Sequence, residues 1–155
     1  MPSGKTHALM TVITTPLVGW GAYYLGGPEP AVAATIGCLS GLLLTPDLDL
    51  SETGTRSHLY ARRLGVGWLW FIWWWGYGKL TTHRGFSHTP LLGTLTRLLW
   101  GMPFTPAWLW YFGAIAWTTY LWWAGGLALS DLLHWIADRF TSKIKRFNVS
   151  DEECC

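Results

Sequence analysis

The residues able to do chemistry fall in four short polar islands, each at the end of an apolar stretch. His7 stands in GKTHALM, Asp47 and Asp49 in TPDLDL, His83, Arg84 and His88 in THRGFSHTP, and Asp131 with His134 in SDLLHWIAD. His7, Asp47, Asp49, His83, His88, Asp131 and His134 offer only nitrogen and oxygen donors, and no Cys-x-x-Cys pair supplies a thiolate. Such a set suits Zn²⁺ first, with Mn²⁺ or Fe²⁺ as alternatives. A catalytic zinc takes about three protein ligands and a water. The pool exceeds that, so it would serve one ion with a well-built outer shell, or two ions. A two-ion pair clamps the attacking and leaving oxygens of a phosphoester. In that chemistry water on the ion is the nucleophile, Asp47 or Asp49 the base, and Arg84 the holder of an anionic group. His58 has no partner nearby in sequence and is set aside.

Spacing adds to residue type. Asp131 and His134 are three apart and share a helix face. Asp138, four further on, continues the stripe and can accept a hydrogen bond from His134, the usual support of a ligating imidazole. Asp47 and Asp49 follow Pro46, which disfavours helix at Thr45. In extended chain, residues two apart point the same way. Each island alone has a blander explanation. His7 reads as a helix-end residue, TPDLDL as a capping turn, D-x-x-H-x-x-x-D as a solvated helix face, and Arg84 as a surface charge. The metal site rests on their coincidence.

The elements must therefore bring the islands together. An apolar run over 7–26 approaches the roughly 20 residues of a membrane span. Gly27-Pro28-Glu29-Pro30 is a turn. Residues 31–44 form a second helix, on which Gly37 and Gly41 make a small-xxx-small face for close helix packing. Residues 51–63 are polar and basic. Residues 64–78 carry Trp68, Trp70, Trp73, Trp74 and Trp75. That run is short for a span and is expected to lie in a membrane interface, the alternative being an aromatic core helix. A third helix covers 91–100, a turn 101–106, and a fourth helix 107–129, kinked at Gly125-Gly126 and extended through SDLLHWIADRF. Up-and-down connectivity then puts all four islands at one end. Lys5, Arg56, Arg62, Arg63, Lys79, Arg84, Arg139, Lys143, Lys145 and Arg146 share that end, which the positive-inside rule makes cytoplasmic.

Composition agrees with a membrane chain. Of 155 residues half are apolar and only 13% charged, against about 25% in soluble domains. The mean hydropathy of +0.23 is modest, but thirteen tryptophans depress it, and tryptophan belongs at membrane interfaces. The expected fold class is all-α: an integral-membrane helical bundle of about four main helices, with an interfacial Trp-rich segment and the metal site at one end. A soluble all-α domain with an aromatic core is the competing reading. Residues 1–140 form the membrane metal-binding domain and 141–155 a polar tail ending in Cys154-Cys155, read as a free tail. Cys38 is a small buried residue. No cleavable signal peptide is evident. A net charge of +2 is no nucleic-acid signature. There is no G-x-S-x-G elbow, P-loop or dinucleotide fingerprint.

With GKTH, PDLD, HRGFSH and D-x-x-H in place, the chain resembles bacterial inner-membrane metal-dependent hydrolases described as LexA-binding. It is closer to a related group of small metal-binding proteins of cyanobacteria. The likeness covers residues 3–140, and the Trp-rich insert and Cys-Cys tail fall outside the pattern. It implies an all-helical metal site distantly similar to zinc-dependent phospholipase C and fungal zinc nucleases. It also implies that His7, Asp47, His83, His88, Asp131 and His134 are metal-site residues, with Asp49 in the motif. The expected function is a membrane-associated metal-dependent hydrolase of phosphoesters or phospholipids. The alternative is a non-catalytic metal-binding scaffold or subunit of a larger complex. A pigment-handling role, suggested by histidines among aromatics, ranks below both. Expected partners are membrane lipid, an anionic phosphoester, and further copies of the chain or a larger membrane complex.

Overall fold

The computed structural model describes residues 4–49, 56–81, 89 and 91–152. His83, Arg84 and His88 therefore lie outside the described residues. Within them the secondary structure is wholly helical.

Helix α1 spans Gly4–Gly26 and carries Pro16 inside it. Gly27, at φ 88°, makes the turn that a side chain would resist. Pro28 then opens α2, Pro28–Ser40. The helix was expected from Ala31, but proline at the first helical position loses no hydrogen bond and arrives with a suitable φ. A short 3-10 turn, Pro46–Asp49, follows.

α2 packs between α1 and the long α7, Trp117–Glu152. The contact with α7 is made by small residues. A Cβ on Gly37 would run into the Trp123 carbonyl, one on Gly41 into Ser130, and one on Gly126 into the Ala34 carbonyl. The two backbones thus touch at Gly37 and Gly126, and Gly41 admits the Ser130 side chain, the close packing that Gly37 and Gly41 were expected to permit. Polar side chains sew the same three helices together. Thr11 and Ser130 hydroxyls lie 3.3 Å apart, Thr15 donates to the buried Cys38 sulfur at 3.4 Å, and Trp123 Nε1 donates to Ser40 at 3.2 Å.

The expected single helix from 107 is broken in two. Ala107–Tyr111 forms a short α6, and Gly113 at φ 71° ends it before α7 begins at Trp117. Gly125-Gly126 does not interrupt α7. At 36 residues, α7 is about 54 Å long, and its backbone stays helical through the polar segment to Glu152.

A second packing region is aromatic. It comprises α3 (Arg56–Arg63), α4 (Gly67–Leu80) and α5 (Leu92–Trp100). On α4, Trp70, Trp74 and Tyr77 are buried, at the i, i+4, i+7 spacing of one helix face. Trp70 meets Phe104 edge to face, and the Tyr77 and Trp100 rings lie tilted with centroids 6.1 Å apart. Trp70 Nε1 donates to Ser57 at 2.9 Å, and Ser57 donates to the Leu43 carbonyl at 2.5 Å. Tyr77 and Thr96 hydroxyls are 3.0 Å apart. The Trp-rich segment is thus core on one side, while Trp68 and Trp75 on its other side are exposed. Leu44 and Leu48 bury into the cluster formed by Trp74, Trp123 and Leu127. Leu48 is fully buried, so it anchors the PDLD turn from which Asp47 projects.

Among the described residues, one helix is long and apolar enough to cross a membrane: Thr6–Gly26 within α1. Its outer face exposes Ile13, Leu17, Trp20 and Tyr24.

Candidate metal centre

Three elements bring donors to one place. His7 comes from the first turn of α1, Asp47 from the PDLD turn that follows α2, and His134 and Asp138 from adjacent turns of α7. The His7 and His134 rings stack in parallel, with centroids 3.8 Å apart and planes 9° off parallel. Both Nε2 atoms approach one carboxylate. His7 Nε2 lies 3.3 Å from Asp138 Oδ1, and His134 Nε2 lies 3.6 Å from Asp138 Oδ2. Asp47 Oδ1 is 3.8 Å from the same His134 nitrogen.

The helices explain this placement. His134 and Asp138 are four apart and so neighbours on α7. The glycine seam fixes the height of α7 against α2. The buried Leu48 holds the turn that continues from α2. The Asp47 amide donates to Thr45 Oγ1 at 3.1 Å, which tightens that turn. PDLD is a 3-10 turn, not the extended chain expected after Pro46. Successive residues in such a turn rotate by about 120°, so the extended-strand argument for Asp47 and Asp49 acting together does not apply. The Asp49 side chain lies outside what is described.

The donor set fits a divalent ion. Ligand atoms of His7, His134 and Asp138 all lie within 4.8 Å of one another. Two ligands about 2.0–2.1 Å from a tetrahedral zinc stand about 3.4 Å apart, close to the two His–Asp138 separations. Two imidazoles and a carboxylate are ordinary zinc ligands. The buried His7 Nδ1 has no hydrogen-bond partner among the described residues, so this ring is not committed elsewhere through that nitrogen. Side-chain exposure grades from His134 at 9% and Asp138 at 17% to Asp47 at 28%. The cluster is closed on the helix side and open at Asp47.

Asp131 is placed differently. Its Oδ2 accepts from Arg97 Nη2 and from Thr94 Oγ1, each at 2.5 Å. That oxygen ties α5 to α7 one turn away from His134. His58 is buried on α3 against the edge of Phe71, and burial pushes its pKa down from the ordinary value. Among the described residues it lies outside the His7, His134 and Asp138 group. Asp138 stands against His134 as expected, and its carboxylate also belongs to the group that could hold an ion. Arg97 is not among the residues singled out from the sequence.

The profile of a family described as uncharacterized metal-binding protein (DUF2227) matches residues 2–120. The chain belongs to this family. The matched stretch contains His7 and Asp47, and α7's His134 and Asp138 follow it. No curated protein and no solved structure matches the chain.

Proposed function

We propose that His7, His134 and Asp138, with Asp47 at the rim, hold a divalent ion, zinc before manganese or iron. On this reading the protein is a membrane-associated metal-dependent hydrolase of phosphoesters or phospholipids. The observation that carries the proposal is the meeting of two stacked imidazoles on one carboxylate, from opposite ends of the chain. The likeness of GKTH, PDLD, HRGFSH and D-x-x-H to LexA-binding hydrolases and to small cyanobacterial metal-binding proteins supports the hydrolase half. The exposed apolar face of α1 supports membrane association. The basic residues flanking the islands support a cytoplasmic position for the site.

A bound divalent ion supplies Lewis acidity, polarising a phosphoryl oxygen and lowering the pKa of water. The chain's own part is positional. Asp138 holds both imidazoles in register. Asp47, on the open side, would take a proton from water entering there. His83, His88, Arg84 and Asp49 remain candidates for further ligands and for the substrate's charge.

A second reading is a closed, non-catalytic metal site in a scaffold or complex subunit. The low exposure of His134 and Asp138 favours it, because structural zinc sites leave no open position. The two are separated by one series of measurements. Protein purified without chelator is expected to carry about one zinc per chain by elemental analysis. His7→Ala and His134→Ala should each weaken metal binding by at least about tenfold. Less than about a tenth of an ion per wild-type chain would end the metal reading. If metal is bound, hydrolysis of phosphodiesters and phospholipids should fall about 10²-fold or more in Asp47→Asn. Absence of any hydrolysis by the loaded wild type would leave the scaffold reading.

A further inference from the structure

Arg97 is the most deeply buried charge among the described residues, at 1% exposure. It lies on α5 beside Thr94, three residues earlier on the same face, and both donate to Asp131 Oδ2. Asp131 pairs the charge but engages only Nη2. The Arg97 Nε–H and the Nη1 amino group are buried with no acceptor among the described residues. Guanidinium cannot shed its proton, so burial cannot be relieved by neutralisation as it can for lysine. Each buried donor left unmade is costly. A purely structural Arg–Asp tie would be cheaper as a pair of apolar residues. The arrangement is therefore better suited to a third party that brings acceptor oxygens.

Position identifies that party. Asp131 precedes His134 by about 4.5 Å along α7, and His134 precedes Asp138 by about 6 Å, at 1.5 Å per residue. Arg97 is thus held at the end of the same polar stripe that carries the metal donors. Fixed guanidinium donors beside a His/Asp metal centre suit a tetrahedral oxyanion bearing several acceptor oxygens. We infer that Arg97, oriented by Asp131 and Thr94, is the binding residue for the phosphoryl group of a ligand, either a lipid phosphate headgroup or free phosphate. This rests on the hydrolase reading above and names how that site would recognise its substrate.

The test reads binding, not turnover. Wild type and Arg97→Lys are purified in detergent. Each is titrated with inorganic phosphate and, separately, with micelles containing phosphatidic acid, while the thermal midpoint and ³¹P line width are followed. Elemental analysis of metal accompanies each titration. Wild type is expected to be stabilised by at least one of the two probes at millimolar concentration. Arg97→Lys keeps a cation for Asp131 but lacks the other donors, so its affinity should drop about tenfold or more, with metal content unchanged. Response to phosphate identifies the free ion as ligand, and response to phosphatidic acid alone identifies the headgroup. If Arg97→Lys fails to fold, Arg97→Met with Asp131→Leu replaces it as an apolar pair, and the same loss of binding is expected. No response of wild type to either probe, or equal response in the variant, would overturn the assignment and leave the metal reading standing. Loss of metal in step with loss of phosphate would also overturn it, by making Arg97 part of the metal centre's framework. A wild type without metal that still binds phosphate through Arg97 would sink the metal reading alone.

Discussion

The two packing regions of this protein solve the same problem with opposite materials. Between α2 and α7 the contact is backbone on backbone at Gly37 and Gly126, with Gly41 against the Ser130 side chain. Between α4 and α5 it is ring on ring, through Trp73, Tyr77 and Trp100. Rings can tilt and slide at little cost over several tenths of an ångström, whereas a carbonyl pressed on a Cα cannot. The proposed metal donors hang from the first region. Asp47 lies in the 3-10 turn that comes after α2, and His134 and Asp138 ride on α7. The difference teaches that the rigid seam sets the geometry of the site, and the aromatic region supplies buried area and holds the PDLD turn through Leu48.

The largest effect should come from removing aromatic bulk. Trp74 is fully buried, and Trp74→Ala should lower unfolding stability by about 3–5 kcal/mol, read by thermal or denaturant melts in detergent. If the division of labour holds, the folded fraction keeps its metal stoichiometry. Equal loss of metal and stability would show the two regions to be one cooperative unit. Next in size is the seam. Gly37→Ala sets a methyl against the Trp123 carbonyl and should cost about 1–3 kcal/mol as overpacking. Here metal affinity should fall as well, because α7 must move away from α2 and carry His134 with it. A Gly37→Ala protein with full metal affinity would deny the seam its positioning role.

How much of this was readable beforehand varies with the physics behind each feature. Apolar runs and Gly-Pro punctuation located α1, α2 and α5 within a few residues. The glycine seam was legible because small residues four apart on an apolar helix have few other uses. The break before α7 was not. Gly113 needs a positive φ, but nothing in FGAIAW distinguishes that glycine from those that continue a helix. The 3-10 turn at PDLD was misread as extended because the deciding fact is tertiary: the burial of Leu48 among tryptophans. His7, Asp47 and His134 were singled out by type and by their place at helix ends, and the structure places them together. Asp138 was expected beside His134 and lies there, although i+4 spacing cannot tell a ligand from the residue that orients one. Arg97 carried a signal that went unused. A lone arginine in LLGTLTRLLW must find a carboxylate if that face is buried, and Asp131 was the available acid.

The smallest effect is the sharpest test of the contrast. Gly76 stands in the aromatic region, where an added Cβ would meet the Trp100 ring at 3.1 Å. That is tight, but the obstacle is the far edge of a side chain and not a carbonyl. Against it works the gain from replacing a mid-helix glycine on α4, about 0.5–1 kcal/mol in favour of alanine. The two terms are of similar size and opposite sign, so Gly76→Ala should sit within about 1 kcal/mol of wild type with metal content unchanged. Gly37→Ala adds the same methyl to the same kind of helix. If the two alanines destabilise alike, ring packing is as unyielding as backbone packing, and the assignment of rigidity to the α2–α7 seam fails.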